Sequence, residues 1–219
     1  MMTRKTFVAA FMLCSTPAFA ETPAPPPEAP ASAAVAEPPQ HQHEGVFLRA
    51  ELGAGFRSMS TTDAGSAKTS GAGAGFAIAV GGPVADNLIL LGELTVDSAQ
   101  NPTVQVGSRS VETTDASFAL LGLGPGITYY VMPANVHFGA TILLTEATLT
   151  YKGEKIAETD LGFGGLLRVG KDFWIGKNFG LGVAGQFTFA TMKDKESTGG
   201  TKPTWSALAA TLALEGTYD

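Results

Sequence analysis

Five charged side chains carry the spacing most suggestive of chemistry. Arg49 and Glu51 stand two residues apart, as neighbours on one face of a β-strand do, and Glu93, Arg168 and Glu215 occupy the corresponding face of three other alternating segments. Two cations and three carboxylates turned into one narrow, low-dielectric interior have to pair, because an isolated buried charge is costly. The expected product is an internal ion-pair network that plugs a lumen; a gate for small ions is the alternative. Arg49 and Glu215 are expected at one end of adjacent strands, Arg168 also low, and Glu51 and Glu93 nearer the middle.

Other chemistries find less support. A Ser-His-acid hydrolase needs a base within reach of its nucleophile. His137 is the one histidine outside the N-terminal fifth of the chain, and Ser58, Ser60, Ser66, Ser108 and Ser110 sit in polar connections away from it. Packing is the expected role of His137, and no catalytic residue is assigned. His41 and His43 lie close together in a Pro-rich stretch and make only a weak metal site; no metal and no cofactor are expected. Gly71, Gly73 and Gly75 alternate at strand period, which does not suit a phosphate cradle at a helix start. A net charge of -6 without any Lys/Arg run excludes nucleic acid as an expected partner.

The elements that must position these residues follow from period-2 alternation. It runs through Val46–Arg57, Gly71–Gly81, Leu88–Asp97, Leu161–Lys171, Phe179–Ala190 and Trp205–Tyr218. Two further strands, about Ser117–Tyr130 and Val136–Tyr151, alternate less cleanly, and the parity of the first is open. Pro125 inside it lacks a ladder donor and predicts a bulge. The total is eight strands. Short connections fall near 82–87, 131–135 and 171–178, and long polar ones near 58–70, 98–114, 152–159 and 191–203. Short turns at one end and long loops at the other describe an antiparallel up-and-down transmembrane β-barrel, with both chain ends of the barrel on the short-turn side.

The composition of the two faces indicates which meets lipid. One carries Leu, Val, Ile and Phe; the other is mainly Gly, Ala and Thr with a few charges, which suits the narrow interior of eight strands. A soluble surface would be dense in Lys and Glu, whereas here the charges gather in the long loops, as at Lys152, Glu154, Lys155, Lys193, Asp194, Lys195 and Glu196. Aromatics cluster at the strand ends: Tyr129, Tyr130, Phe173, Trp174, Phe179 and Tyr218 near the short turns, and Phe56, Tyr151, Phe189 and Trp205 near the long loops. Two such girdles are what bilayer interfaces favour.

Ahead of the barrel, residues 1–20 read as a cleaved signal peptide. Arg4 and Lys5 form the basic region, Phe7 to Cys14 the apolar core, and Ala18-Phe19-Ala20 the cleavage site. Cys14 is the sole cysteine and leaves with it, so the exported chain has no disulfide. Residues 21–44, rich in Pro, Ala and Glu, cannot bury enough apolar surface to fold and are expected to be a disordered periplasmic linker, either a spacer or a tether to the cell wall or a partner. The barrel is residues 45–219.

Three segments, GVFLRAELGAGF, GLGPGITYYVMPANVHFGA and GKDFWIGKNFGLGVAGQF, resemble the small outer-membrane β-barrel proteins, including the OmpA transmembrane domain and OmpX-like barrels. The resemblance covers about residues 45 to 219 and is one of pattern without a catalytic motif. It implies an outer-membrane location and contact with outer-membrane lipid. It differs in two respects: OmpA-type proteins often carry a globular domain after the barrel, and such barrels commonly end in an aromatic, where this chain has Tyr218 followed by Asp219. The expected function is a structural or surface-interaction role with a surface or periplasmic protein partner, met through loops 98–114 and 191–203. The alternatives are a small passive channel, a lipid-modifying enzyme, or a soluble lipocalin-like carrier.

Overall fold

The computed structural model describes residue 43 and residues 45–61, 67–195 and 202–219. The expected signal peptide 1–20, with Cys14, and the linker 21–44 apart from His43 lie outside the described residues, as do Ser66 and positions 196–201 of the last long loop.

Eleven strands follow one another: β1 (Phe47–Thr61), β2 (Ala67–Ala85), β3 (Leu88–Gln100), β4 (Thr103–Val106), β5 (Arg109–Glu112), β6 (Ala116–Val131), β7 (Val136–Tyr151), β8 (Glu154–Glu158), β9 (Gly162–Trp174), β10 (Phe179–Lys193) and β11 (Thr204–Tyr218). Eight of them form a closed antiparallel barrel in the order β1-β11-β10-β9-β7-β6-β3-β2, and β2 returns to pair with β1. Closure joins first strand to last over fourteen aligned positions, from Leu48↔Tyr218 to Thr61↔Trp205. With each of the eight barrel strands hydrogen-bonded on both sides, the barrel leaves no edge for lipid to meet.

The short turns bear out the expected ends. β2 and β3 join at Asp86-Asn87, with Asn87 at φ 59°; β6 and β7 join through Met132–Asn135, with Asn135 at φ 53°. In the third, Gly176 takes φ 95°, a conformation an L side chain resists, and the Ile175 amide donates to the Phe179 carbonyl at 2.7 Å.

Three features differ from the sequence reading. The segments at 98–114 and 152–159 are not irregular loops: β3 runs on to Gln100, β4 and β5 form a hairpin turning at Gly107 (φ 60°), and β8 pairs back on β7 through a turn at Lys152-Gly153. Strands here project past the band that lipid covers, in runs of four or five residues too short for period-2 counting to reveal. Second, Pro125 makes no bulge. Leu123↔Leu144 and Gly126↔Thr141 belong to one register, and the β6–β7 ladder merely skips Gly124 and Pro125, so the missing donor removes a bond without inserting a residue. The barrel's register shift falls between Pro83 and Ala85 instead. Third, the open parity of β6 resolves with Phe118, Leu120, Gly122, Gly126, Thr128 and Tyr130 buried.

The outward face is apolar around the barrel. Leu52, Ile142, Phe163, Leu212 and Leu214 are each 65–73% exposed, while the inward face holds charges, threonines, glycines and alanines. An apolar exterior over a charged interior is the reverse of what a soluble carrier with an apolar cavity requires, and it is the arrangement of a membrane-spanning barrel.

Leu212 lies opposite Ala54 and Gly185, halfway along its strands. Leu212→Arg is expected to destabilise the refolded barrel by about 2–4 kcal/mol in urea titrations in lipid vesicles. Val111→Arg, in the β4–β5 hairpin, should lie within about 0.5 kcal/mol of the parent. Equal effects at the two positions would place the lipid band wrongly.

Candidate functional site

Glycine clears the lumen so that long side chains can cross it. β1 alternates Arg49, Glu51, Gly53, Gly55 and Arg57 inward, and β2 contributes Gly71, Gly73 and Gly75. A Cβ on Gly75 would lie 2.6 Å from Arg57 Nη2, so the small residue makes space for the guanidinium.

The central layer is the ion-pair cluster. Arg168 Nη2 on β9 donates to Glu51 Oε2 on β1 at 2.9 Å and to Glu93 Oε1 on β3, and its Nε lies 2.8 Å from Glu51 Oε1 as an ion-pair contact. β9 is three strands from β1 in one direction and three from β3 in the other, so these bonds span the barrel. Arg49 Nε lies 3.0 Å from Glu51 Oε1 and its Nη2 3.7 Å from Glu93 Oε1, while Nη1 donates to Thr128 Oγ1 at 3.3 Å. Thr141 Oγ1 donates to Glu93 Oε2 at 2.5 Å, and the Gln186 amide donates to Glu51 Oε2. The charged side chains of this layer are at most 2% exposed. A guanidinium bonded to two carboxylates, each of which also accepts from a neutral side chain, is a geometry in which attraction can offset desolvation.

Of the five residues expected to form one network, the structure brings together Arg49, Glu51, Glu93 and Arg168. Glu215 faces Glu51 across the β1–β11 ladder but hydrogen-bonds elsewhere, to His137 Nε2 at 2.7 Å. With Asp172 these two form a group whose ligand atoms lie within 4.8 Å of one another. Tyr130 Oη donates to Asp172 Oδ2 at 2.7 Å, and Thr217 Oγ1 lies 3.4 Å from both Asp172 oxygens. At the short-turn mouth the His43 ring lies 4.1 Å from that of Tyr130 and 5.7 Å from Trp174, and His43 Nδ1 hydrogen-bonds to Asp219.

The sequence reading missed a second ion pair towards the long loops. Arg57 Nη2 donates to Asp97 Oδ1 at 2.7 Å and to Thr211 Oγ1 at 2.9 Å, and Nη1 donates to the Gly73 carbonyl at 2.9 Å. Both residues share strand parity with Arg49 and Glu93, so following each face to its end would have found them. Beyond this pair, Met59, Phe118, Leu120 and Met192 pack as an apolar layer inside the outer end.

The aromatic girdles need three corrections. Tyr130 is fully buried in the lumen, and Trp174 turns inward to meet His43 edge-on. Trp205 is half-buried against the outer apolar layer and donates Nε1 to Asp194 Oδ2 at 3.0 Å. The reason is parity: Tyr129 with Tyr130, and Phe173 with Trp174, are consecutive in a strand and cannot share a face. Tyr129, Phe173, Phe179, Tyr218, Phe56, Tyr151 and Phe189 are 42–55% exposed on the exterior.

Against solved structures, Neisserial surface protein A is 14% identical, with 80% of this chain and 99% of that one covered at a TM-score of 0.52. The chain has the fold of a small outer-membrane β-barrel. The outer membrane protein OprG from Pseudomonas aeruginosa (14% identity, 82% and 98% coverage, TM-score 0.44) and Ail of Yersinia pestis (7%, 78% and 98%, 0.39) are more distant in shape. No family model and no curated protein matches the sequence.

Truncating Arg168 leaves Glu51 and Glu93 facing each other without their main cation. Arg168→Ala is expected to cost about 3–5 kcal/mol, the range for breaking a buried pair. Arg49→Ala also destabilises, but its contacts are longer, and about 1–3 kcal/mol is expected. Urea unfolding of the refolded barrel measures both; a reversed order would contradict the cross-lumen geometry.

Proposed function

We propose that the protein is an integral outer-membrane barrel with a closed lumen, working as a structural or surface-interaction protein through its outer rim. The observation that carries this reading is the cluster of Arg168, Arg49, Glu51 and Glu93, whose bonds cross the barrel at a level where no charged side chain is more than 2% exposed. A passive channel needs a continuous wet path, and this layer stands across it. Above it, the Arg57–Asp97 pair and the outer apolar layer occupy the same lumen. Two grooves of about 620 and 680 Å³ lie between strands on the outward face, lined by residues such as Ile127, Ile142, Leu212 and Phe187 that meet lipid. A non-enzymatic role fits the surroundings of His137, which bonds to a carboxylate and faces Tyr130.

Among the described residues, strand pairing and hydrogen bonds tie the rim together, which suits it to present a surface to a protein partner. Beyond the β4–β5 hairpin, β8 is tied to the end of β10 by a bridge between Thr159 and Asp194 and by the Lys195 amide donating to the Glu158 carbonyl at 2.9 Å. Lys195 and Lys155 reach the Glu158 carboxylate at 3.0 and 3.2 Å. A partner meeting such a rim loses less ordering entropy than one meeting free loops.

Two measurements test the reading. In planar bilayers the refolded parent should give no regular conductance steps, whereas the triple variant Glu51→Ala, Glu93→Ala, Arg168→Ala, if it folds, should; steady channels from the parent would defeat the closed-lumen reading. The rim is tested by acid. Hydrogen bonds from Lys195 and Lys155 hold the Glu158 carboxyl down at about 2, against an ordinary value of 4.5. A depressed folded value means that this tie is complete above 4.5 and is lost as pH falls towards 2. Amide exchange in 154–160, corrected for intrinsic rate, should stay constant from pH 7 to 5 and loosen below about 4.5; loosening already between 7 and 5 would show that Glu158 does not hold the rim.

A further inference from the structure

The charged layers of the lumen are balanced except one. Arg49 and Arg168 answer Glu51 and Glu93, and Arg57 answers Asp97. Asp172 and Glu215, at most 3% exposed, form no ion pair with an arginine or lysine among the described residues; the basic side chain that shares their cluster is His137, itself fully buried. Two carboxylates and an imidazole therefore converge in a low-dielectric interior with no arginine or lysine in ion-pair contact among the described residues.

We infer that His137, Asp172 and Glu215 form a binding site for a divalent transition-metal cation of the zinc class, set inside the barrel at its short-turn end. One imidazole nitrogen and two carboxylate oxygens are donors that Zn²⁺ accepts at about 2.0–2.2 Å, and their mutual spacing within 4.8 Å lets one ion reach all three after small side-chain shifts. Two observations beyond the cluster itself point to a ligand. Glu215 Oε2, on a side chain with no exposure, is buried without a hydrogen-bond partner, which leaves a full carboxylate oxygen to be satisfied. Glycine also lets the donors converge: a Cβ on Gly170 would collide with His137 Nε2 and lie 2.9 Å from Glu215 Oε1, and one on Gly182 would collide with Asp172 Oδ1 and lie 2.6 Å from Glu215 Oε1. Glycine on both β9 and β10 at this one level lets the three donor side chains draw together.

The surroundings complete the site. Tyr130 Oη donates to Asp172 at 2.7 Å and Thr217 supports the same carboxylate, as outer partners that orient a metal ligand do. Access is from the short-turn mouth, where the His43–Asp219 pair lies over Tyr130. The inference is independent of any role for the outer rim: a barrel that binds no surface partner could still hold the ion.

The test uses the full chain refolded in detergent, loaded with zinc sulfate and desalted. About one equivalent of zinc per barrel should be retained, and His137→Gln and Glu215→Gln should each weaken retention by at least about tenfold. The unboiled gel band should also resist heat to a higher temperature in zinc than in chelator for the parent and not for either variant. X-ray absorption at the zinc edge needs no variant and should give a nitrogen and oxygen shell with one imidazole. The inference fails if the folded parent retains no zinc, if both folded variants retain it unchanged, or if the absorption spectrum requires two or more imidazoles, which would place the ion on the leader histidines. It fails equally if His41→Asn with His43→Asn abolishes retention while His137→Gln does not.

Discussion

Everything in this molecule depends on the pairing of β1 with β11. In lipid no water is available to satisfy a peptide group, so a sheet survives there only if its first and last strands meet. The fourteen aligned positions from Leu48↔Tyr218 to Thr61↔Trp205 meet that condition. Closure also sorts the side chains. Once the sheet is a cylinder, each residue faces either lipid or lumen, and a one-residue slip would exchange the two sets along a whole strand. The inward runs Arg49-Glu51 on β1 and Thr211-Ala213-Glu215 on β11 agree with closure only in the register observed.

A cylinder of eight strands leaves a narrow interior, and what fills it is set by electrostatics more than by volume. Buried guanidinium and carboxylate groups are tolerable only where each finds its counterpart. The lumen meets that demand in layers, with the Arg168 layer at the centre, the Arg57–Asp97 pair above it and apolar packing at the outer end. Glycines at the same levels let long arginines lie across the barrel: Gly75 gives way to Arg57, and Gly170 and Gly182 open the space beside His137. The glycine content of the strands is thus part of the charge arrangement.

The sequence was legible where one physical period governed the outcome. Strand number, closure, short-turn positions and the division of faces all follow from period 2, because lipid outside and a tight lumen inside penalise any departure. Legibility failed where a second cause competed. Tyr130, Trp174 and Trp205 lie near strand ends, as girdle aromatics do, but the alternation that identified the strands places them inward. Height along adjacent strands puts Glu215 at the same end as Arg49 and in one network with it, whereas contact inside a barrel also runs across the lumen, and strand order alone does not give those distances. Arg57 and Asp97 stood on the right face and were passed over because they lie close to a loop. The β4–β5 hairpin alternates over only four residues in each strand, too short a run for period 2 to identify.

A lumen filled in layers moves the question of function to the surfaces that remain. The outward face is committed to lipid by side chains such as Leu52, Ile142 and Leu212. The short-turn end is lined by the buried cluster of Phe47, Ile89, Leu91 and Tyr130, with the His43–Asp219 pair over Tyr130. What is left is the outer rim, and it is built: the Trp205 indole bonds to Asp194, β8 is tied to β10, and the β4–β5 hairpin extends the pairing of β2 beyond the membrane band. Strand pairing carried past the bilayer gains nothing from lipid and has to be held by its own hydrogen bonds and ion pairs. A rim that only connected strands could be short and irregular, as the turns at the opposite end are. Ordered hairpins at one end alone are what a barrel needs if it meets its partners on that side.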